Sequence, residues 1–301
     1  MQTLLNTTTK NQTITAVIDD LKQLTKFGLS ISVVFSAIAG YLLAADTIRI
    51  ATLLLLAIGG YFMVGASNVF NQIIEKDTDK LMKRTKNRPL PAGRMSVNTA
   101  LAIGIVCALL GIVILYIINP KTAMFGAISI VLYVSVYTPL KPVTPFAVFM
   151  GALPGAIPFM LGWVAATGKF AIEPGILFLI QFFWQFPHFW AIAWLQYDQY
   201  KKAGFNLLPT REKNKKASTQ ILLYTIWMIL VSIFPVTKLT GSLYLSPIAA
   251  IIIFIVGLVM LYYGFELHKK QTDKIARKLM LASVLYITSI QVIYVVDKFL
   301  H

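Results

Sequence analysis

The chain has 301 residues, 57% hydrophobic and 13% charged, with a formal net charge of +15. A mean hydropathy of +0.72 excludes a soluble globule of this size, which could not keep so little polar surface. The apolar runs are continuous rather than alternating, which excludes a membrane barrel.

In chain order, residues 1–25 read as a cytoplasmic tail with an interfacial helix around Ile14–Leu24. More than twenty polar-rich residues precede the first apolar run, so no cleaved signal peptide is expected. Nine apolar runs follow, at roughly 26–45, 50–70, 97–118, 122–138, 145–166, 173–196, 218–236, 244–265 and 279–297. Each has about the length that crosses a bilayer as a helix. The expected fold is an all-α membrane protein of about nine transmembrane helices, with residues 26–301 forming one domain. Cys107 is the lone cysteine, lies inside the third run and reads as core filler. His268 and His301 read as solvated.

Of the 27 Lys and Arg residues, all but Arg49, Lys121, Lys169, Lys238 and Lys298 fall in the N-terminal segment or in the connections after runs two, four, six and eight. This is the positive-inside pattern. It puts the N-terminus and the basic loops in the cytoplasm, against anionic lipid, and the C-terminus on the opposite side of a cytoplasmic (inner) membrane. The positive charge is thus mainly topology, and no nucleic-acid partner is expected.

Two cytoplasmic connections, residues 71–96 and 197–217, are long and rich in both charges. In the first, Asn71, Glu75 and Asp79 recur every four residues. Each falls about 40° from the last on a helix, so all three share one face if the second run continues past residue 79, with Asp77 off that face. Asn68 could join them. Oxygen donors at a membrane boundary suit Mg²⁺, which takes a few carboxylates together with phosphate oxygens. Lys83, Arg84, Lys86, Arg88 and Arg94 follow and suit a highly charged anion. A diphosphate site fits the pattern; so does a solvated loop of mixed charge. Pro89 and Pro91 end the segment. In the sixth run, His188 follows Pro187. It is a haem-iron ligand by type, or a histidine hydrogen-bonded across helices to Gln181 or Gln185. In the fifth run, Gly151, Pro154, Gly155, Pro158 and Gly162 shape a cavity or permit close helix packing. No nucleotide or cysteine-based metal motif is present, which disfavours a pump or a redox enzyme.

The stretch NQIIEKDTDKLMKRTKNRPL resembles the Asn-x-x-x-Asp-x-x-x-Asp signature of the UbiA-type intramembrane prenyltransferases. Three further stretches are similar to the branch of that family acting on protohaem: MKRTKNRPL (Met82–Leu90), YTPLKPVTPFAVFMGALPGAIPFMLGW (Tyr137–Trp163) and FWQFPHFWAIAWLQYDQYKKAG (Phe183–Gly204). The resemblance covers about residues 25–300. Glu75 stands where many members have Asp, Pro142 follows Lys141, and Pro158 is single. Asp198 is followed by Lys202 rather than by a second acid.

The resemblance implies a bundle with polar cytoplasmic loops over a central cavity. It implies transfer of farnesyl from farnesyl diphosphate to a vinyl group of protohaem IX (haem B, as substrate), with water added, to give haem O. In that reading Asn71, Glu75 and Asp79 hold Mg²⁺, with Asp198 on a second metal or ordering the loop. Arg84, Arg88 and Lys141 grip the diphosphate, with Lys83 and Lys202 in support. Tyr137, Trp184, Gln185 and His188 meet the substrates, and Tyr137, Phe183, Trp184 and Phe189 are candidates to face an allylic cation. A downstream haem A synthase or oxidase assembly protein is a candidate partner, beside the lipid bilayer. The alternatives are a related prenyltransferase acting on an aromatic acid, quinone precursor or chlorin, and a non-enzymatic transporter of an anionic lipid. The transporter would place charges at the bilayer centre, whereas these gather at one interface.

Overall fold

A computed structural model describes residues 14–301 and contains helices and turns, with no strand among those residues. The expected tail therefore lies outside the described residues up to position 13. The described part begins with α1 (Ile14–Leu24) where the short interfacial helix is expected. The chain turns at Lys26, which adopts a left-handed conformation (φ 48°, ψ 58°), into α2 (Phe27–Ala44). Then come α3 (Ile50–Ile74), α4 (Lys76–Lys80), α5 (Val97–Ile118) and α6 (Pro120–Val131). A π-helical turn (Leu132–Tyr137) leads into α7 (Thr138–Leu140), followed by α8 (Ala147–Thr167), α9 (Ile172–Leu195) and α10 (Tyr197–Lys202). The chain ends with α11 (Lys215–Ile233), a 3₁₀ turn (Phe234–Thr237), α12 (Pro247–Lys270) and α13 (Asp273–Leu300).

Nine of the described helical segments are long and apolar enough to cross a membrane, and they coincide with the nine apolar runs. Local chemistry fixes several starts. Asn119 accepts from the Thr122 N–H (2.9 Å), and Pro120 occupies the first helical position, where a missing N–H costs nothing. Ser96, Asn214 and Ser246 cap α5, α11 and α12 in the same way.

Helices α2, α8, α9 and α13 pack in a closed circuit, with α3, α5 and α6 outside one flank and α11 and α12 outside the other. In their most apolar stretches α8 and α9 are 67% and 61% buried, against 17% for α5, so α8 and α9 form the interior and α5 faces lipid. Lipid is as apolar as leucine, so close packing and polar contacts must join these helices. Gly40 and Gly162 let α2 and α8 touch backbone to backbone: a Cβ at Gly40 would run into the Phe159 carbonyl oxygen of α8 and stand 3.1 Å from its carbon. Pro158 cannot donate to the Pro154 carbonyl, and Ser129 Oγ takes over that role at 3.4 Å. Within the membrane, Gln291 of α13 donates to Ser36 of α2 (3.0 Å) and to Gln181 of α9 (3.2 Å), tying three inner helices together.

Candidate active site

The hydrogen-bond ladder of α3 runs on past its apolar part. The Glu75 N–H donates to the Asn71 carbonyl (2.9 Å) and the Asp79 N–H to the Glu75 carbonyl (2.8 Å), with a local break at Glu75. One helical face is thereby kept, and Asn71, Glu75 and Asp79 are buried on it at 1%, 7% and 1% exposure. Asp77 points out to solvent, where the Lys80 ammonium at 2.9 Å holds its carboxyl below the usual range. Asn68 does not join the set; its amide donates to the Thr25 carbonyl (3.2 Å) and anchors the turn before α2.

Each member of the row meets a cation. Lys26 Nζ donates to Asn71 Oδ1 (3.2 Å), Lys141 Nζ lies 2.7 Å from Glu75 Oε1, and Arg88 Nη1 donates to Asp79 Oδ2 (2.7 Å). Asn71 Nδ2 in turn donates to Thr138 Oγ1 (3.2 Å), fixing the amide orientation against the end of the π-helical turn. Lys141 sits 4.5 Å over the Tyr137 ring, and Gly151 leaves room for that ring. Burial works against the Lys141 ammonium, but Glu75 and the nearby Tyr133 and Tyr200 outweigh it and raise its pKa. Lys26 has the opposite balance. Burial, and then the charges of Arg88 and Lys141, bring it down to about 7.

Asp79 Oδ1 is buried and has no hydrogen-bond partner, a costly arrangement unless something binds there. With the side-chain oxygens of Asn71 and Glu75 it makes a set of hard donors. Among the described residues no three or more His, Cys, Asp or Glu side chains gather as a metal cage. That composition fits Mg²⁺, which uses one or two carboxylates and completes its shell with phosphate and water. From Ser67, one turn below Asn71, an apolar crevice of about 40 Å³ runs on between α2, α3, α6 and α8, lined by Val34, Ala37, Met63, Ile130, Ile157 and Leu161 among others. A wider cavity of about 220 Å³ lies at the C-terminal end of α9, lined by Tyr197, Tyr200, Lys201 and Arg211 among others.

The remaining expected residues separate into three groups. Lys83, Arg84, Asp198 and Lys202 are exposed. The two charged loops still meet, because Gln199 Oε1 accepts from the Lys83 N–H (2.9 Å). Arg94 is committed elsewhere, to Asp20 of α1 at 2.8 Å. Gln185 is buried, and its amide donates to the Ala152 carbonyl (2.9 Å), holding α9 against α8. His188 bonds neither Gln181 nor Gln185. Its Nδ1 lies 2.7 Å from Ser283 Oγ on α13, and its ring stacks on Trp184 with centroids 4.7 Å apart. His268 is half-buried rather than solvated, with Nδ1 3.2 Å from Ser218 Oγ. Two contributors escape a reading of the sequence: Lys26, signalled only as a basic residue at the edge of the first run, and Ser283, for which helical spacing gives no signal.

Residues 33–290 match the model of the UbiA prenyltransferase family. The chain is 63% identical over 286 residues to a protoheme IX farnesyltransferase of Christiangramia forsetii, covering 95% of each chain. It is 61% identical to one of Flavobacterium psychrophilum (96% and 97% covered) and 34% identical to one of Nitrosomonas eutropha (96% and 97% covered). Among solved structures, a digeranylgeranylglyceryl phosphate synthase superposes with a TM-score of 0.76 at 21% identity, covering 93% of this chain and 98% of that one. A UbiA homologue from Archaeoglobus fulgidus bound to GPP and Mg²⁺ gives 0.66 at 16% identity, with 91% and 99% covered. At these identities the two structures speak for the fold.

Proposed function

The chain belongs to the UbiA prenyltransferase family, and from that premise we propose that it farnesylates protohaem IX. It is an integral, multi-pass membrane enzyme. It transfers the farnesyl group of farnesyl diphosphate to a vinyl group of protohaem IX with addition of water, giving haem O and diphosphate. The observation that carries the catalytic reading is the buried row Asn71, Glu75 and Asp79, each member met by a cation, above an apolar crevice.

The residues divide the work as follows. Asn71, Glu75 and Asp79 would hold Mg²⁺, which neutralises charge developing on the departing diphosphate oxygens. Arg88, Lys141 and Lys26 turn from their present partners toward those oxygens, where fixed cations lower the barrier to C–O rupture. Arg84, Lys83 and Lys202, exposed at the rim, attract the diphosphate from the cytoplasm. Asp198 takes the loop-ordering role, since it is exposed on α10 beside the Gln199 contact to Lys83. The crevice below Asn71 receives the start of the prenyl chain. At about 40 Å³ it is too small for the whole chain, so flexible linings such as Met63 and Leu161 swing aside on binding. Its apolar walls keep water from the allylic cation, and Tyr137 presents a ring beside the diphosphate cations. His188, Trp184 and the Gln185 region meet the haem.

The basic loops support a cytoplasmic N-terminus, a C-terminus across the membrane, and residence in the cytoplasmic membrane. Residues 26–301 act as one transmembrane unit behind the short tail. The product is apolar and stays in the bilayer, so it passes to a downstream haem A synthase or oxidase assembly protein. The test is to incubate purified protein with haem, farnesyl diphosphate and Mg²⁺ and to analyse the haem by mass spectrometry. A farnesylated, hydrated haem is expected. Unchanged haem, with prenylation of an aromatic or quinone precursor offered in parallel, would overturn the assignment.

A further inference from the structure

We infer that Ser283 is a positioning residue which fixes the tautomer of His188 so that Nε2 offers its lone pair to the iron of the haem substrate. The inference rests on His188 as the residue that meets haem iron. Ser283 is fully buried on α13, and its Oγ lies 2.6 Å from the Met280 carbonyl oxygen and 2.7 Å from His188 Nδ1. A carbonyl only accepts, so the single hydroxyl proton of Ser283 must point at Met280 O. The hydroxyl oxygen then has only lone pairs to turn toward His188. A 2.7 Å contact there requires Nδ1 to carry the proton, which leaves Nε2 unprotonated. No hydrogen bond to Nε2 is formed among the described residues.

The same serine also controls the ring plane. Its backbone carbonyl accepts from Trp184 Nε1 at 2.6 Å, and the Trp184 indole stacks on His188 with 18° between the planes. Backbone and side chain of one residue thus hold both rings. His188 is seven residues before Leu195 at the end of α9, which at 1.5 Å per residue puts it roughly 10 Å below the cytoplasmic end. That depth suits a flat macrocycle whose vinyl edge must reach the prenyl carbon under the diphosphate.

Partners that orient a ligating imidazole change metal affinity by about 10–100-fold. A neutral hydroxyl backed by a carbonyl is a weaker acceptor than a carboxylate, so the low end, about tenfold, is expected here. Purified protein is titrated with ferric haem, without farnesyl diphosphate, and followed by Soret absorption and electron paramagnetic resonance. Wild type should give a histidine-ligated spectrum, and His188→Ala should lose it. Ser283→Ala should weaken haem binding about tenfold and shift the spectrum. Ser283→Cys, close in size but a poor acceptor, should do the same, and Ser283→Thr, which keeps the hydroxyl, should restore wild-type behaviour. An unchanged spectrum in His188→Ala defeats the ligand reading itself. A lost spectrum in His188→Ala beside wild-type binding in both Ser283→Ala and Ser283→Cys defeats the role of Ser283 alone. If Ser283→Ala does not fold, the Cys and Thr variants decide between the same two results.

Discussion

Replacing Lys141 by Met should destabilise the protein far more than loss of a surface charge. The Lys141 and Glu75 side chains are only 10% and 8% exposed and stand 2.7 Å apart, so little solvent screens them. The substitution keeps most of the side-chain volume but leaves the Glu75 carboxylate buried without its ion partner. Breaking such a pair costs about 3–5 kcal/mol. Lys26 and Arg88 remain close enough to relieve part of the stranded charge, so the lower figure, about 3 kcal/mol, is the expectation here. The cation over Tyr137 is lost as well. The double variant Lys141→Met with Glu75→Gln removes both charges and should regain most of the loss, which makes the coupling measurable as a double-mutant cycle. Unfolding in detergent, by heat or denaturant, provides the readout. Because the folded pKa of Lys141 is raised, its contribution is full below the unfolded lysine value near 10.4 and fades only as pH rises through the folded value. Lys141 itself is therefore fully charged at both pH 6 and pH 8, and any difference in the loss between them reports the neighbouring Lys26, which titrates near 7. A cost below about 1 kcal/mol, as for an exposed pair, would refute the reasoning.

Gly162→Ala should destabilise by about 1–3 kcal/mol or more, because the added Cβ would meet backbone of α2, 2.8 Å from the Gly40 carbonyl carbon, and force the helices apart. Gly60→Ala, whose Cβ would find only Val34 Cγ2 at 3.6 Å, should be tolerated; equal losses in the two variants would contradict the proposed α2–α8 contact. Lys26 has a folded pKa of about 7 against about 10.4 unfolded, so between those values the unfolded chain holds the extra proton. Stability should then rise with pH across that window by up to ~1.4 kcal/mol per unit, and Lys26→Met should flatten the slope; parallel curves for the two proteins would contradict this.

Chain length and hydropathy make the nine membrane helices legible, because a bilayer imposes its thickness on any run that crosses it. The 3.6-residue period likewise places Asn71, Glu75 and Asp79 on one face and Asp77 off it, as found. Neighbours on different helices are another matter. Lys141 is far from Glu75 in the chain, Lys26 far from Asn71, and Ser283 far from His188, and only packing brings each pair together. The expectation that Gln181 or Gln185 would satisfy His188 fails for that reason: both glutamines lie on the same helix as His188, but Gln181 accepts from Gln291 and Gln185 bonds α8. Arg94 shows the converse. Its sequence position suits an anion site, yet Asp20 from the short first helix already pairs with it.

The account turns on a buried carboxylate that acts on the leaving diphosphate, and Asp79→Asn tests this most directly. The variant keeps the side chain's shape beside Arg88 while removing the charge. Turnover of haem and farnesyl diphosphate by the purified variant, followed by mass spectrometry of the haem product, should fall by about 10²–10³, the usual cost of deleting one electrostatic contributor to a transition state. Turnover equal to wild type would remove Asp79 from the site and contradict the account.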